Sequence, residues 1–385
     1  MKLLILTQKA DINDDVLGFM HGWIKEFSKH CESVIVVCLQ KGEYDLPDNI
    51  KVLSLGKEEK NNFQFFPLQR DHAKAVAIFP ASAGPRQGGG NFQLLNKIKY
   101  FLNFFKYIWQ ERKNYDTVFV HMNKEYVILG GFLWRILGKK IGLWYAHGHA
   151  PFSLKIAEKL AHIIFTSTKS GFRLPSKKVN IVGQGIDIDK FKIESLKLKV
   201  NDKLKIITVG RISPVKDYET LIKAIELLKK ENIDLQVDII GGAGLSEQEK
   251  YLSDLKKIVL EKKLDNVINF VGAVPNKDII NYLQSANLFV NMSSTGSLDK
   301  AMVEAMACEL PILTCNEAMK DVLGEFQDLL MYDKGDYKGL AQKINMIKGM
   351  EVSEIENLGK KLREIVENNH SQEGLIKKII NVLNK

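Results

Sequence analysis

Apolar runs and amphipathic stretches alternate along this chain in an order that predicts its elements. Lys2–Thr7, Ser33–Leu39, Ile50–Leu55, Thr117–His121, Lys140–Ala146, Ile163–Ser167 and Val179–Val182 are mostly apolar and read as strands. Strands buried on both faces lose the alternation of a half-exposed sheet, which is how these runs look. Between them Val16–His30, Asn91–Lys113, Tyr126–Leu137 and Ser153–His162 have helical spacing. The order then restarts. Strands are predicted at Leu204–Gly210, Leu235–Gly241, Val267–Val271, Leu288–Met292 and Pro311–Cys315. Helices are predicted at Tyr218–Lys230, Glu247–Lys262, Lys277–Ser285, Asp299–Cys308, Tyr337–Met350, Val352–Glu367 and Gly374–Leu383. Two successive βα series imply an α/β protein of two Rossmann-like, doubly wound domains. We place the domains at 1–185 and 186–368, with the charged segment Asp187–Lys203 as linker and 369–385 as a closing helix.

Segment 65–93 interrupts this pattern. It holds three of the nine prolines and a Gly-Gly-Gly run, with no clean period. Copies of Asn-Phe-Gln flank it at 62–64 and 91–93. A long unstructured loop is uncommon in a compact domain. The segment therefore reads as an insertion between elements that already packed, a chance repeat within an integral loop being the alternative.

Composition narrows the class. Hydrophobic residues make up 45% of the 385, so sizeable cores are available and disorder is excluded. The most apolar uncharged stretch, Tyr126–Trp134, is too short to span a bilayer, and the first residues lack a secretory h-region. The four cysteines have neither metal-ligand nor disulfide-framework spacing, which fits a reducing cytoplasm. The net charge of +9 is uneven: residues 1–200 carry 30 cations against 18 acids, and the remainder 25 against 28. A basic first half suggests an anionic partner, whether an anionic membrane surface, a phosphorylated acceptor or nucleic acid, or simply a solvated basic surface. Phe101, Phe104, Phe105 and Ile108 are expected to be buried under the helix that holds them, leaving Lys97, Lys99 and Lys106 for lipid headgroups. The clearest motifs lie in the acidic half and no nucleic-acid module is present, so a nucleic-acid partner is not expected.

Those motifs sit at strand ends, where open α/β sheets bind ligands. Gly210 lets backbone come close, and Arg211 and Lys216 place two cations before a helix for which Asp217 is the expected N-cap. Such a pocket suits a diphosphate, Arg211 gripping it with a planar fork and Lys216 acting as a point charge. Gly241 and Gly242 end the next strand, and Val271 stands where a base would face the sheet. The loop Thr295, Gly296, Ser297, Asp299 then leads into a short helix whose one acid, Glu304, is set among Ala, Met and Val. A carboxylate there needs a partner, either ribose hydroxyls or a buried salt bridge. His147, in Ala146-His147-Gly148-His149, follows a strand end and is a candidate catalytic residue or a satisfied structural histidine. His149 is able to exchange roles with it, and the pair lacks a third ligand for a metal.

On these residues the chain resembles the retaining GT-B glycosyltransferases of family GT4. The signature runs in order through Gly210-Arg211…Lys216, Gly241-Gly242, Phe270-Val271-Gly272 and Glu304-Ala305-Met306-Ala307…Leu310-Pro311-Ile312. The segment Val182-Gly183-Gln184-Gly185-Ile186-Asp187…Phe191 is similar to that family's interdomain run, with Gln184 in place of Asn. The resemblance implies a GT-B fold with a central cleft and a final helix packed back on the first domain. It implies transfer of a hexosyl-type sugar, with retention, from a UDP- or GDP-linked donor to a glycan or lipid-linked saccharide. No cofactor or metal is implied, and the implied setting is the inner face of a cell membrane during envelope polysaccharide synthesis. Arg211 and Lys216 would bind the donor diphosphate, Glu304 the ribose, and His147 the donor sugar or its phosphate. Asp15, Gly18 and His149 would face the acceptor. Two departures stand out: Gly296 replaces a carboxylate that in this family contacts the donor sugar, and Glu309 replaces a usual glycine, here read as a surface change. The first leaves room for a second reading, a protein that binds nucleotide-sugar or glycan with little turnover.

Overall fold

The computed structural model describes residues 1–14, 16–59, 90–192, 203–294 and 296–385, with backbone alone for 90–93. Most of the expected insertion therefore lies outside the described residues; its last four residues begin a helix. The first sheet contains β1 (Lys2–Ala10), β2 (Ser33–Lys41), β3 (Ile50–Ser54), β4 (Thr117–His121), β5 (Lys140–Trp144), β6 (Ile163–Thr166) and β7 (Val179–Ile181). Its order is β3-β2-β1-β4-β5-β6-β7, with every pair parallel. The second sheet contains β8 (Leu204–Val209), β9 (Leu235–Ile240), β10 (Ile268–Gly272), β11 (Leu288–Asn291) and β12 (Ile312–Thr314), in the order β10-β9-β8-β11-β12, again parallel. Each order reverses once, between β1 and β4 and between β8 and β11. Such a switch point opens a crevice at the carboxyl ends of the strands.

Alternation along the strands of the first sheet sorts its helices into two layers. Leu4, Leu6, Val118, Val120 and Leu143 pack under α2 (Gly90–Gln110), α3 (Lys124–Ile136) and α4 (Phe152–Leu160). Leu3, Ile5, Phe119 and Phe165 face the other way, onto α1 (Phe19–His30) and α13 (Gln372–Asn384). The second sheet is wrapped by α5 (Tyr218–Lys230), α6 (Ser246–Glu261), α7 (Ile279–Ser285), α8 (Lys300–Ala307), the short α9 (Lys320–Leu323) and α10 (Gln327–Leu330), α11 (Tyr337–Lys348) and α12 (Val352–His370). The chain crosses between the domains twice, side by side. Ile186 N–H donates to His370 O and Gln372 N–H to Ile186 O, each at 2.7 Å. Gly183, at φ +94°, lets this crossing close: a Cβ there would lie 3.1 Å from the Asn369 carbonyl carbon.

Several sequence expectations need correction. The first helix starts at Phe19 rather than Val16, because the Asp14 carboxylate accepts from Val16 N–H and Leu17 N–H and closes a turn first. Asp217 precedes α5 but in the left-handed conformation, φ 50°, after a 3-10 turn at Pro214–Lys216; its carboxylate takes the Thr220 hydroxyl at 2.7 Å and caps no backbone N–H. Glu309 is not a neutral surface change. It sits at φ 54° behind α8, where glycine carries no steric penalty, and its carbonyl lies against Gly359 of α12. Phe104 and Ile108 are fully buried, but Phe101 and Phe105 only partly. Lys99 is not free, since its ammonium pairs with Glu59 at 2.6 Å.

Candidate functional site

The crevices of the two sheets face each other, and the loops that end their strands make the facing walls. Gly210 follows β8, and its N–H is held by Ile240 O at 2.9 Å. Gly241 follows β9 at φ +155°, its N–H held by Gly272 O at 2.8 Å. These glycine loops stack on one another: a Cβ at Gly241 would stand 2.7 Å from the Gly210 carbonyl carbon and closer still to its oxygen. Gly241 thus serves backbone packing within the wall. Gly242, whose Cβ would meet only Ala273 at 3.2 Å, is the one with room beside it. Val271, on β10, is half-buried at the edge of the same wall.

Arg211 projects from this wall. It is exposed, and its guanidinium has no acceptor among the described residues. Lys216 is more constrained. Its ammonium forms a close ion pair with Asp299, both side chains being 19% exposed. Asp299 is anchored in turn by Asn291 Nδ2 at 3.2 Å, and Asn291 by Thr314 and the Ser293 N–H. The pair therefore presents one net positive charge, from Arg211, rather than two. Ser293 Oγ, beside Asn291, is buried without a hydrogen-bond partner among the described residues.

Glu304 lies one turn into α8 and is almost fully buried. Burial raises its carboxyl above the usual range, against the pull of Lys300 and Lys190. It makes no ion pair within 4 Å among the described residues, and it accepts from Asn276 Nδ2 at 3.5 Å. Of the two partners read from the sequence, the buried salt bridge is absent as a direct contact among the described residues, and a carboxylate with spare acceptor capacity lines a cavity of about 210 Å³. Gly18, Phe19, Lys190 and Lys300 share that cavity. Lys300 sits over the Phe19 ring at 3.5 Å and donates to Gly185 O. Burial brings its ammonium down to about 7.

On the opposite wall, His147 follows β5. Its Nδ1 accepts from His149 N–H at 2.9 Å, so the neutral ring carries its proton on Nε2. Burial, then His149, Lys124 and Arg211, lower its pKa, keeping the ring neutral. The His149 carbonyl accepts from Tyr145 OH, and the two imidazoles stand 6.5 Å apart. Gly148 N–H reaches across the cleft to Ser297 Oγ at 3.0 Å, so the walls touch here. Asp15 and Thr295 lie outside the described residues. Among the described residues no three His, Cys, Asp or Glu side chains form a metal-holding group.

Sequence reading missed Arg173. It approaches from the first domain and lies against Gly296, at φ +70°, where an added Cβ would be 3.2 Å from Cζ and nearer to Nη2. The space that a side chain at 296 would enter holds a guanidinium instead. Arg173 also lines a larger cavity of about 1080 Å³ with Ser294, Glu317, Lys320 and Tyr332. No local pattern pairs residues this far apart in sequence.

Two facing Rossmann-like domains with ligand-holding loops across a cleft are the GT-B fold. Residues 189–372, just under half of the chain, match the family of glycosyl transferases group 1. A crystal structure of Anabaena Alr3699/HepE in complex with UDP and glucose superposes with a TM-score of 0.73, at 16% identity and covering 100% of both chains. The sucrose-phosphate synthase of Thermosynechococcus elongatus gives the same TM-score at 15% identity, over 100% of this chain and 98% of that one. Among curated proteins, the chain is 23% identical over 216 residues to the putative colanic acid biosynthesis glycosyltransferase WcaL of Escherichia coli K12, covering 54% of this chain and 52% of that one. It is 26% identical over 231 residues to the capsular polysaccharide biosynthesis glycosyltransferase CapM of Staphylococcus aureus, covering 57% and 58%. The match thus spans about half the length of these relatives.

Proposed function

We propose that this chain is a glycosyltransferase that moves a sugar from a UDP- or GDP-linked donor to a glycan or lipid-linked saccharide, with retention at the anomeric carbon. The observation that carries the reading is the unpaired Arg211 guanidinium beside the Lys216–Asp299 pair, at the switch point of the second sheet. A donor diphosphate supplies the acceptors that Arg211 lacks. As the glycosidic bond breaks, negative charge grows on the leaving phosphate, and Arg211 with Lys216 stabilises it in place before the reaction. Glu304 takes the ribose hydroxyls, consistent with its spare acceptor capacity. His147 faces the sugar with Nε2–H, and its neutral state suits donation to a hydroxyl or phosphate oxygen. The acceptor hydroxyl attacks from the face that the leaving group departs and gives its proton to the leaving phosphate oxygen as the glycosidic bond breaks, which gives retention without a carboxylate nucleophile. The polysaccharide-synthesis relatives and the UDP-and-glucose complex of the structural neighbour support this reading.

Arg211→Ala and Lys216→Ala are each expected to lower transfer from the donor by about 10²-fold, the scale of one transition-state charge contact, with unchanged melting for Arg211→Ala and some loss for Lys216→Ala, which leaves the Asp299 carboxylate unpaired. UDP binding by calorimetry is the companion measurement. Near-wild-type turnover in both variants would remove the diphosphate assignment.

A further inference from the structure

We infer that the outer side of the α2–α3–α4 layer is a docking face for an anionic membrane surface. The inference is independent of the reading of the cleft. Among the described residues, sixteen large hydrophobic side chains are exposed, and nine belong to these three helices. Leu95, Leu102 and Trp109 recur every seven residues on α2, with Ile98 between them, so they form one stripe. Phe132 and Ile136 sit one turn apart on α3, 70% and 67% exposed; Phe152 and Ile156 do the same on α4. All three helices bury their inner sides in the same core, so these side chains point outward from one layer. The layer of α1 and α13 on the opposite side of the sheet contributes none.

The segment that carries this apolar face is mostly basic, although Glu59 from outside it pairs with Lys99. Residues 90–162 contain eleven lysines and arginines against four acids. Each acid is already engaged: Glu111 with Lys51, Asp116 with Lys2 N–H, Glu125 with Lys124, and Glu158 with Ser176 and Lys178. Lys155 and Lys159 on α4, and Lys113 beyond α2, are left to meet an anionic partner, while Arg112 lies over the Trp109 ring at 4.2 Å and donates to its carbonyl. Large exposed apolar patches mark interaction sites. A second copy of this face would set like charge against like, which disfavours a homodimer here. Bulky apolar side chains interleaved with cations fit a headgroup layer, into which the apolar side sinks while the cations stay at the phosphates. Among the described residues no helix is long and apolar enough to cross a bilayer, so the contact lies in the plane of the interface.

Tryptophan fluorescence tests this on the full chain. Of the four tryptophans, Trp23, Trp134 and Trp144 are buried and Trp109 is 51% exposed. Vesicles of equal parts phosphatidylglycerol and phosphatidylcholine are expected to shift the emission to the blue, and Trp109→Phe to abolish the shift. Phosphatidylcholine alone is expected to give no shift. In co-sedimentation, Phe132→Ser with Phe152→Ser is expected to weaken binding to the anionic vesicles at least about tenfold, and Lys155→Glu with Lys159→Glu about as much, each cation near the surface being worth several-fold. Wild-type melting of both variants confirms that the fold is intact. Equal partition to neutral and anionic vesicles, or wild-type binding by the phenylalanine variant, would overturn the inference. So would a dimer in solution that the same substitutions dissolve, because a second copy would then be the occupant.

Discussion

Gly241 and Gly242 are neighbours at one strand end, and alanine should have very unequal consequences at the two. At Gly241 the backbone stands at φ +155°, which L side chains rarely adopt, and holding it there costs about 1–3 kcal/mol. The new methyl would also be forced 2.7 Å from the Gly210 carbonyl carbon, against backbone held by its own hydrogen bond to Ile240. Overpacking of this kind costs about 1–3 kcal/mol more. Together these give about 4 kcal/mol, or a fall of roughly 10 °C in the melting midpoint of a domain of this size. At Gly242 the methyl meets only the Ala273 methyl at 3.2 Å, and under about 1.5 kcal/mol is expected. Thermal and urea melts of Gly241→Ala and Gly242→Ala measure the difference, with UDP titrations to follow the site. Equal melting of the two variants, or a Gly241→Ala protein as stable as wild type, would refute the stacking of the loops as the reason for glycine.

Asp299→Asn removes the anion that holds Lys216, so UDP is expected to bind several-fold more tightly and with steeper salt dependence; weaker binding in calorimetry would mean that Asp299 itself holds the ligand or sets the lysine's position. Transfer is expected to survive EDTA, because the cations at the donor phosphates are the side chains of Arg211 and Lys216. Recovery of a chelated, inactive protein by Mg²⁺ or Mn²⁺ would contradict this.

The sheets were legible because parallel strands buried on both faces are apolar throughout, and Thr117–His121 and Tyr218–Lys230 have the bounds read from the sequence. β1 runs on to Ala10 through Gln8 and Lys9, whose polarity hides a strand; Lys9 and Ala10 stay in register with Gln40 and Lys41. Helices α9 and α10, of four residues each, are too short to show a period. The identity of the site residues was readable from spacing, but their pairing was not. Lys216 and Asp299 meet from 83 positions apart, and Arg173 reaches Gly296 from the other domain. Left-handed backbone at Asp217 and Glu309 was hidden because neither is the glycine that announces it.

The packing of α13 bears on how the molecule is made. Leu375, Ile376, Ile379 and Leu383 complete one side of the first sheet's core, yet a ribosome adds them only after the whole second domain. Until then Leu3, Ile5 and Phe165 lack part of their cover, and the nascent first domain must wait with apolar surface open to water. The second domain has no such debt to later sequence: its core cluster ends at Val366. Synthesis therefore favours an order in which the domain begun first is finished last. A chain stalled before Leu375 would expose that unfinished side to chaperones, whereas one stalled before residue 189 would differ from it little in the state of its first domain.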